Sequence, residues 1–270
     1  MSDLTKATAQ RQAPDKRTVR DLLQMQQSAI ETQLGGALNS SSFVRAAISE
    51  ISKSPSLQQA TGESVLGSVM LAAQLKLEIG PALGHFYLTP RQESFKDGAE
   101  WRKRWVCLPI VGYQGLIELA YRSGRIAKIE TFVIRDGDHF DYWADSKGGL
   151  QYTWRPADFD NERQWTGVVA SASLTGGGDP IWAYLPKAKI LARRPKGWER
   201  GPWKEHEEEM ARKTMVREFA PYLPKSTEFS EAVRVSRQVE EQGDRVDSIT
   251  GVQDLVVIPT EVQEEPETAE

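Results

Sequence analysis

One cysteine stands in a chain of 270 residues. Cys107 lies inside the apolar run Trp105 to Val111, so there is no disulfide framework, no cysteine pair at metal-ligand spacing and no sign of an oxidising compartment. No window approaches the roughly 18 apolar residues that a membrane-spanning helix needs. The most apolar helical stretch, Val65 to Leu77, already carries Gln74 and Lys76. The opening residues mix charge with Gln and Thr and lack the apolar centre of a signal peptide. A cytoplasmic protein without a membrane contact is therefore expected.

The chemistry of turnover is also missing. There is no Gly-Lys dipeptide, which excludes a GxxxxGK[ST] phosphate loop, and neither GxSxG, HExxH nor a kinase signature set occurs. The three histidines, His85, His139 and His206, sit in unrelated contexts. An enzyme is not expected. The best catalytic candidate is the segment holding Asp136, Asp138, His139 and Asp141, whose oxygens and nitrogen suit a divalent ion in a metal-dependent nuclease. The same letters also make an ordinary Asp-Gly turn.

What is present is a globular composition, 39% hydrophobic and 27% charged. The net charge of -4 averages two unlike pieces. Residues 239–270 hold ten acids and one base, Arg245, whereas residues 1–238 hold 28 acids and 33 bases. A mildly basic body thus carries an acidic tail. Three parts are expected: a disordered polar arm over 1–17, a core over 18–238, and a largely disordered tail over 239–270. The tail reads as a competitor for the basic surface, as a docking segment for other proteins, or as a solubilising segment.

Hydrophobic periodicity gives three leading helices. The first carries Val19 to Ile30; the second is capped from Asn39 to Ser42 and carries Val44 to Ile51; the third runs from Glu63 to Leu77 and stops at Gly80-Pro81. Aromatic and β-branched runs follow. His85 to Pro90 and Arg104 to Val111 read as a hairpin with a long loop, Arg91 to Lys103, around Asp97-Gly98. A helix from Tyr113 to Arg122, further strands, and helices over 188–194, 202–219 and 228–238 complete an α+β fold with a central antiparallel β-sheet and N- and C-terminal helices packed on it.

Cations coincide with aromatic rings in two places. Between His85 and Lys128 there are eight Lys/Arg against four acids, interleaved with Phe95, Trp101, Trp105, Tyr113 and Tyr121. Phosphates need cations and unstacked bases need flat rings, so this mixture suits single-stranded nucleic acid. Between Lys187 and Arg217 there are ten Lys/Arg against five acids, all Glu. Glu208 with Arg212 and Glu209 with Lys213 are at helical pairing distance, while Lys187, Lys189, Arg193, Arg194 and Lys196 have no acid nearby in sequence. Those five are the cleaner phosphate candidates.

Three blocks together resemble the RecT family of phage and prophage single-strand annealing recombinases: LKLEIGPALGHFYLTP (75–90), VGYQGLIELAYRSGRI (111–126) and GPWKEHEEEMARKT (201–214). The resemblance implies binding of single-stranded DNA and of the annealed duplex, annealing without ATP, and assembly into rings or helical filaments. It also implies a companion 5′ to 3′ exonuclease and a host single-strand binding protein. No cofactor is implied, a non-catalytic Mg2+ dependence of annealing aside. Carried onto this chain, the pattern puts Tyr113 and Gln114 near bases, and Arg122 and Arg125 near phosphates. Arg102, Lys103, Arg104, Lys204, Lys213 and Arg217 join them as cationic candidates, and Trp203 reads as a packing anchor.

Overall fold

A computed structural model describes residues 18–145, 149–158, 162–195, 198–200, 202–224 and 226–242. The arm, most of the tail and Lys196 lie outside the described residues.

Thr18 opens α1 (Val19–Met25) with a capping box: its hydroxyl accepts from Asp21 N at 3.2 Å, and the Asp21 carboxylate accepts from Thr18 N at 3.0 Å. The helix expected from Val19 to Ile30 is interrupted at Gln26, where α2 (Gln27–Leu34) begins. Gly35, at φ 56, closes α2, since a left-handed residue lets the last carbonyls find donors. Asn39 caps α3 (Ser40–Lys53) through Ser42 N at 2.9 Å, and Ser54 caps the short α4 (Pro55–Gln58). Every residue from Ser64 to Ala73 of α5 (Gly62–Gln74) is buried, which makes α5 the axis of the core.

That helix ends earlier than Gly80-Pro81. Lys76 N reaches Ala73 O and Leu77 N reaches Ala72 O, both at 3.0 Å, a Schellman closure with Lys76 itself at φ 55. Arg122 then donates to Leu75 O at 3.1 Å and Lys76 O at 3.0 Å. A distant guanidinium thus satisfies the carbonyls that the helix end leaves open.

The long loop expected from Arg91 to Lys103 is strand. β1 (Phe86–Asp97) and β2 (Glu100–Val111) pair without a break from Phe86 opposite Val111 to Asp97 opposite Glu100, and only Gly98 and Ala99 turn the chain. Gly98 has φ 65, the conformation a tight hairpin needs at this place. Pro90, which has no N–H to give, faces Cys107. Cys107 turns its backbone groups the other way, where Ser64 Oγ accepts from its N at 2.9 Å and Ser68 Oγ donates to its O at 3.2 Å. Thr61 N donates to Trp105 O at 3.0 Å. The inner half of the β2 edge is therefore covered by α5.

After α6 (Tyr113–Arg122) come β3 (Ile126–Arg135), β4 (His139–Asp145), β5 (Gly149–Arg155), β6 (Trp165–Leu174) and β7 (Ile181–Pro186). The single sheet expected is divided among three antiparallel units in the described residues: β1-β2, β3-β6-β7 and β4-β5. Among the described residues the β4-β5 hairpin meets the larger sheet through tilted ring contacts, not a backbone ladder, with centroids of Phe140 and Tyr184 at 4.7 Å, Tyr152 and Trp182 at 4.6 Å, and Trp154 and Phe132 at 4.9 Å. The opposite face of that sheet, with Val133, Val168 and Ala170, belongs to the main core.

The chain closes with α7 (Lys187–Leu191), α8 (Pro202–Glu205), α9 (Glu207–Phe219) and α10 (Thr227–Gln242). His206, in a non-helical conformation at φ -131, splits the helix expected from Pro202 to Phe219. Helix α9 lies on β3 and β6, and α10 lies on β2 and α6. No helix among the described residues is long and apolar enough to cross a membrane.

Candidate nucleic-acid interface

Directly opposed residues of an antiparallel pair share a face, so the β1-β2 register sorts the outer hairpin into two surfaces. One surface carries Arg91, Glu93, Phe95, Asp97, Glu100, Arg102 and Arg104, and it neutralises itself. Arg104 meets Glu93 at 2.9 Å and lies over the Phe95 ring at 5.0 Å, while Arg102 meets Asp97 at 3.1 Å and Glu100 at 3.5 Å. The other surface carries Gln92, Ser94, Lys96, Trp101 and Lys103, all exposed, with Trp101 at 72%. It has no acid. Lys96 and Lys103 make no ion pair among the described residues, so their charges face solvent on either side of an open indole.

The sequence puts Lys96 and Trp101 in the same basic, aromatic window as Arg102, Lys103 and Arg104, but singles out only the latter three as contacts. The period-two alternation that separates them was legible, but only if Arg91 to Lys103 is read as strand.

At the base of the hairpin, α6 begins without a side-chain cap at Gly112. Gly112 N donates to His85 O at 2.9 Å. A Cβ on Gly112 would sit 2.0 Å from Gly84 O, and one on Gly115 would sit 2.4 Å from His85 O. Backbone therefore lies on backbone here, and only glycine fits. The exposed Tyr87 reaches Gly84 and Gly112, next to the side chain of Gln114. Tyr113 is half-buried and Gln114 exposed on the first turn of α6.

Arg122, at the far end of α6, is committed elsewhere: besides the α5 carbonyls it meets Glu118 at 3.0 Å. Arg125 is exposed and makes no ion pair among the described residues.

The second basic run finds acids that sequence distance hid. Glu207 of α9 accepts from Trp165 Nε1 at 2.8 Å, from Arg194, and from Lys187 at 3.7 Å. Lys187 also lies over the Trp165 ring at 4.5 Å, and Arg194 over Trp198 at 4.2 Å and Trp203 at 5.2 Å. Arg193 meets Glu218 at 3.1 Å. Lys187, Arg193 and Arg194 thus have partners after all, because α7 packs against α9. Lys189 and Lys204 remain exposed without an ion pair among the described residues. Trp203 is buried at 2%.

The helical pairs expected in α9 are replaced by longer-range contacts. Glu208 holds Arg135, and Arg212 donates to Thr131 O at 2.9 Å, both on β3. Lys213 and Arg217 point inward at 8% and 4% exposure. Burial, then the nearby Arg217 charge, pushes the Lys213 amine down to about 8. In this conformation neither Lys213 nor Arg217 offers a charge to a phosphate.

The Asp136 to Asp141 segment is a turn built around Asp138. Its carboxylate accepts from Arg135 N at 3.0 Å, Trp154 Nε1 at 3.1 Å, Ala157 N at 3.1 Å and Arg163 at 2.9 Å. Burial alone would raise the Asp138 carboxyl; these donors overturn that and hold it at about 2. The exposed His139 meets Asp141 at 3.1 Å. Asp138 has no lone pair left for an ion, and no group of three or more His, Cys, Asp or Glu side chains is placed to hold a metal among the described residues. Arg135 and Arg163, the cations that build this corner, carried no sequence signal because their partners lie far along the chain.

Comparisons with known proteins agree with the three blocks. A model described as the RecT family matches residues 41–250. Protein RecT of Escherichia coli (strain K12) is 36% identical over 220 residues, which span 78% of this chain and 78% of that protein. The match leaves out α1 and α2 but covers nearly all of α3 and every later helix and strand of the described residues, and the chain belongs to the RecT family.

Proposed function

We propose that the protein binds single-stranded DNA and anneals complementary strands without ATP, working as an oligomer along the DNA. One observation carries the reading: the exposed, acid-free hairpin surface with Lys96, Trp101 and Lys103. Lysines neutralise phosphates irrespective of sequence, and an open indole stacks on any base. A surface of this size holds a few nucleotides. Reliable pairing of two strands therefore needs many protomers that keep one strand extended with its base edges free.

Tyr113 and Gln114 at the base of the hairpin, and the exposed Arg125, Lys189 and Lys204, are proposed as further contacts. Family membership supports an exonuclease that exposes the strand, and a host single-strand binding protein, as partners.

The test mixes labelled complementary oligonucleotides without ATP, with the wild-type protein or with a Lys96→Glu/Lys103→Glu variant. Wild type should anneal them faster than the protein-free rate. The variant should bind more weakly for every sequence, with a log-log salt slope lower by about 0.7 per lost phosphate contact. Annealing by wild type at the protein-free rate sinks the reading.

A further inference from the structure

The acid-free hairpin surface has a counterpart in the chain's own sequence. From Asp254 to Glu270 there are six acids and no base, and the segment opens with the apolar run Leu255-Val256-Val257-Ile258. Single-stranded DNA offers this surface phosphates for Lys96 and Lys103 and a ring for Trp101. The segment offers carboxylates and aliphatic side chains in the same combination.

The lengths involved are compatible with the contact. Helix α10 packs on β2 and ends at Gln242, with Val239 still in the core. The twelve residues from there to Asp254 span at most about 40 Å when extended. The outer half of the hairpin, from Trp105 to the turn, is about 20 Å long. A tether of this kind holds its end at a local concentration on the order of millimolar.

We propose that the segment Asp254–Glu270 covers the Lys96–Trp101–Lys103 surface of its own chain in the DNA-free protein, and that DNA must displace it. The inference rests on the proposed DNA-binding role of that surface. With millimolar intrinsic affinity and a local concentration of a few millimolar, the surface is open only about a quarter of the time. Apparent DNA affinity is lowered by about three- to fivefold. The segment would thus set a threshold that favours long strands, on which many protomers exchange it together.

Two measurements on the full chain decide it. In the first, zero-length carbodiimide coupling is applied without DNA and the products are read by mass spectrometry. Cross-links from Glu261, Glu264, Glu265, Glu267 or Glu270 should fall on Lys96 and Lys103 and vanish when an oligo-dT strand is added. Their absence, or an even spread over the equally exposed Lys189 and Lys204, overturns the inference. In the second, those five glutamates are changed to glutamine, and oligo-dT affinity at low salt should tighten about three- to fivefold. An unchanged affinity overturns the inference while leaving the DNA reading intact. Failure of both proteins to bind oligo-dT overturns the DNA reading instead.

Discussion

Glu208 grips Arg135 with both carboxylate oxygens, at 2.9 and 2.8 Å, across the interface between α9 and the end of β3. Arg135 is buried and gives a further bond to Arg163 O at 2.8 Å, so one guanidinium ties the helix, the sheet and the Asp138 turn together. Planar, two-point pairing of this kind suits Arg and no other cation. Glu208→Ala removes the bidentate partner and leaves the charge enclosed. The expected cost is about 2–3 kcal/mol, seen as a lower urea midpoint with an unchanged slope. A midpoint within error of wild type would show that the pair holds nothing.

The three-glycine seat under α6 gives a second prediction. An added methyl at Gly115 must move the His85 carbonyl, which is backbone and cannot swing aside. Gly115→Ala should destabilise by about 1–3 kcal/mol. At about 2–4 °C per kcal/mol in a domain of this size, the loss should be visible in Tm. Gly176→Ala, where no atom lies within 4 Å and φ is not positive, is the control and should leave Tm unchanged.

These two sites mark the boundary of what the sequence discloses. The Asn39 cap, the buried face of α5 and the α+β order follow from local pattern and appear where periodicity puts them. Glu207 and Glu208 as partners of Arg194 and Arg135 do not, because nothing local distinguishes an acid that pairs along its helix from one that crosses to a sheet. The same limit hid the neutralisation of Lys187 and Arg193. The outer part of the hairpin, Arg91 to Lys103, reads as loop for a different reason: an exposed two-stranded arm has no buried face, so its strands alternate without hydrophobicity. Its register then turns a window of mixed charge into one neutral and one cationic surface.

Lys213 predicts a pH dependence. Its amine loses the proton at about 8 in the folded protein and near the usual 10.5 once unfolded. Between those values the unfolded chain holds more protons, so stability rises with pH from about 8 upward; below that, the full cost of a buried charge is present. Cys107 acts oppositely, since burial raises its thiol to about 11 from the usual 9.0 and stability then falls between those values. Across the window from about pH 7.5 to 8.8 the lysine contribution outweighs the opposing one of the thiol. The urea midpoint of wild type should climb across it, and that of Lys213→Met should not. Parallel profiles would mean that the amine is not buried as charged.

The two tryptophans Trp101 and Trp203 separate binding from folding. Trp101 is 72% exposed at the tip of the hairpin, whereas Trp203 is 2% exposed beneath Arg194. Trp101→Ala removes a ring that touches little of the fold, so Tm should hold while affinity for oligo-dT falls by the roughly 1–3 kcal/mol that one base-stacking ring contributes. Trp203→Ala opens a cavity in the core and should cost about 3–5 kcal/mol of stability. Any DNA defect in that variant should follow its unfolded fraction and recover at lower temperature. If Trp101→Ala binds oligo-dT as tightly as wild type, the hairpin surface works by charge alone. The lysine pair would then have to account for the whole affinity of the arm.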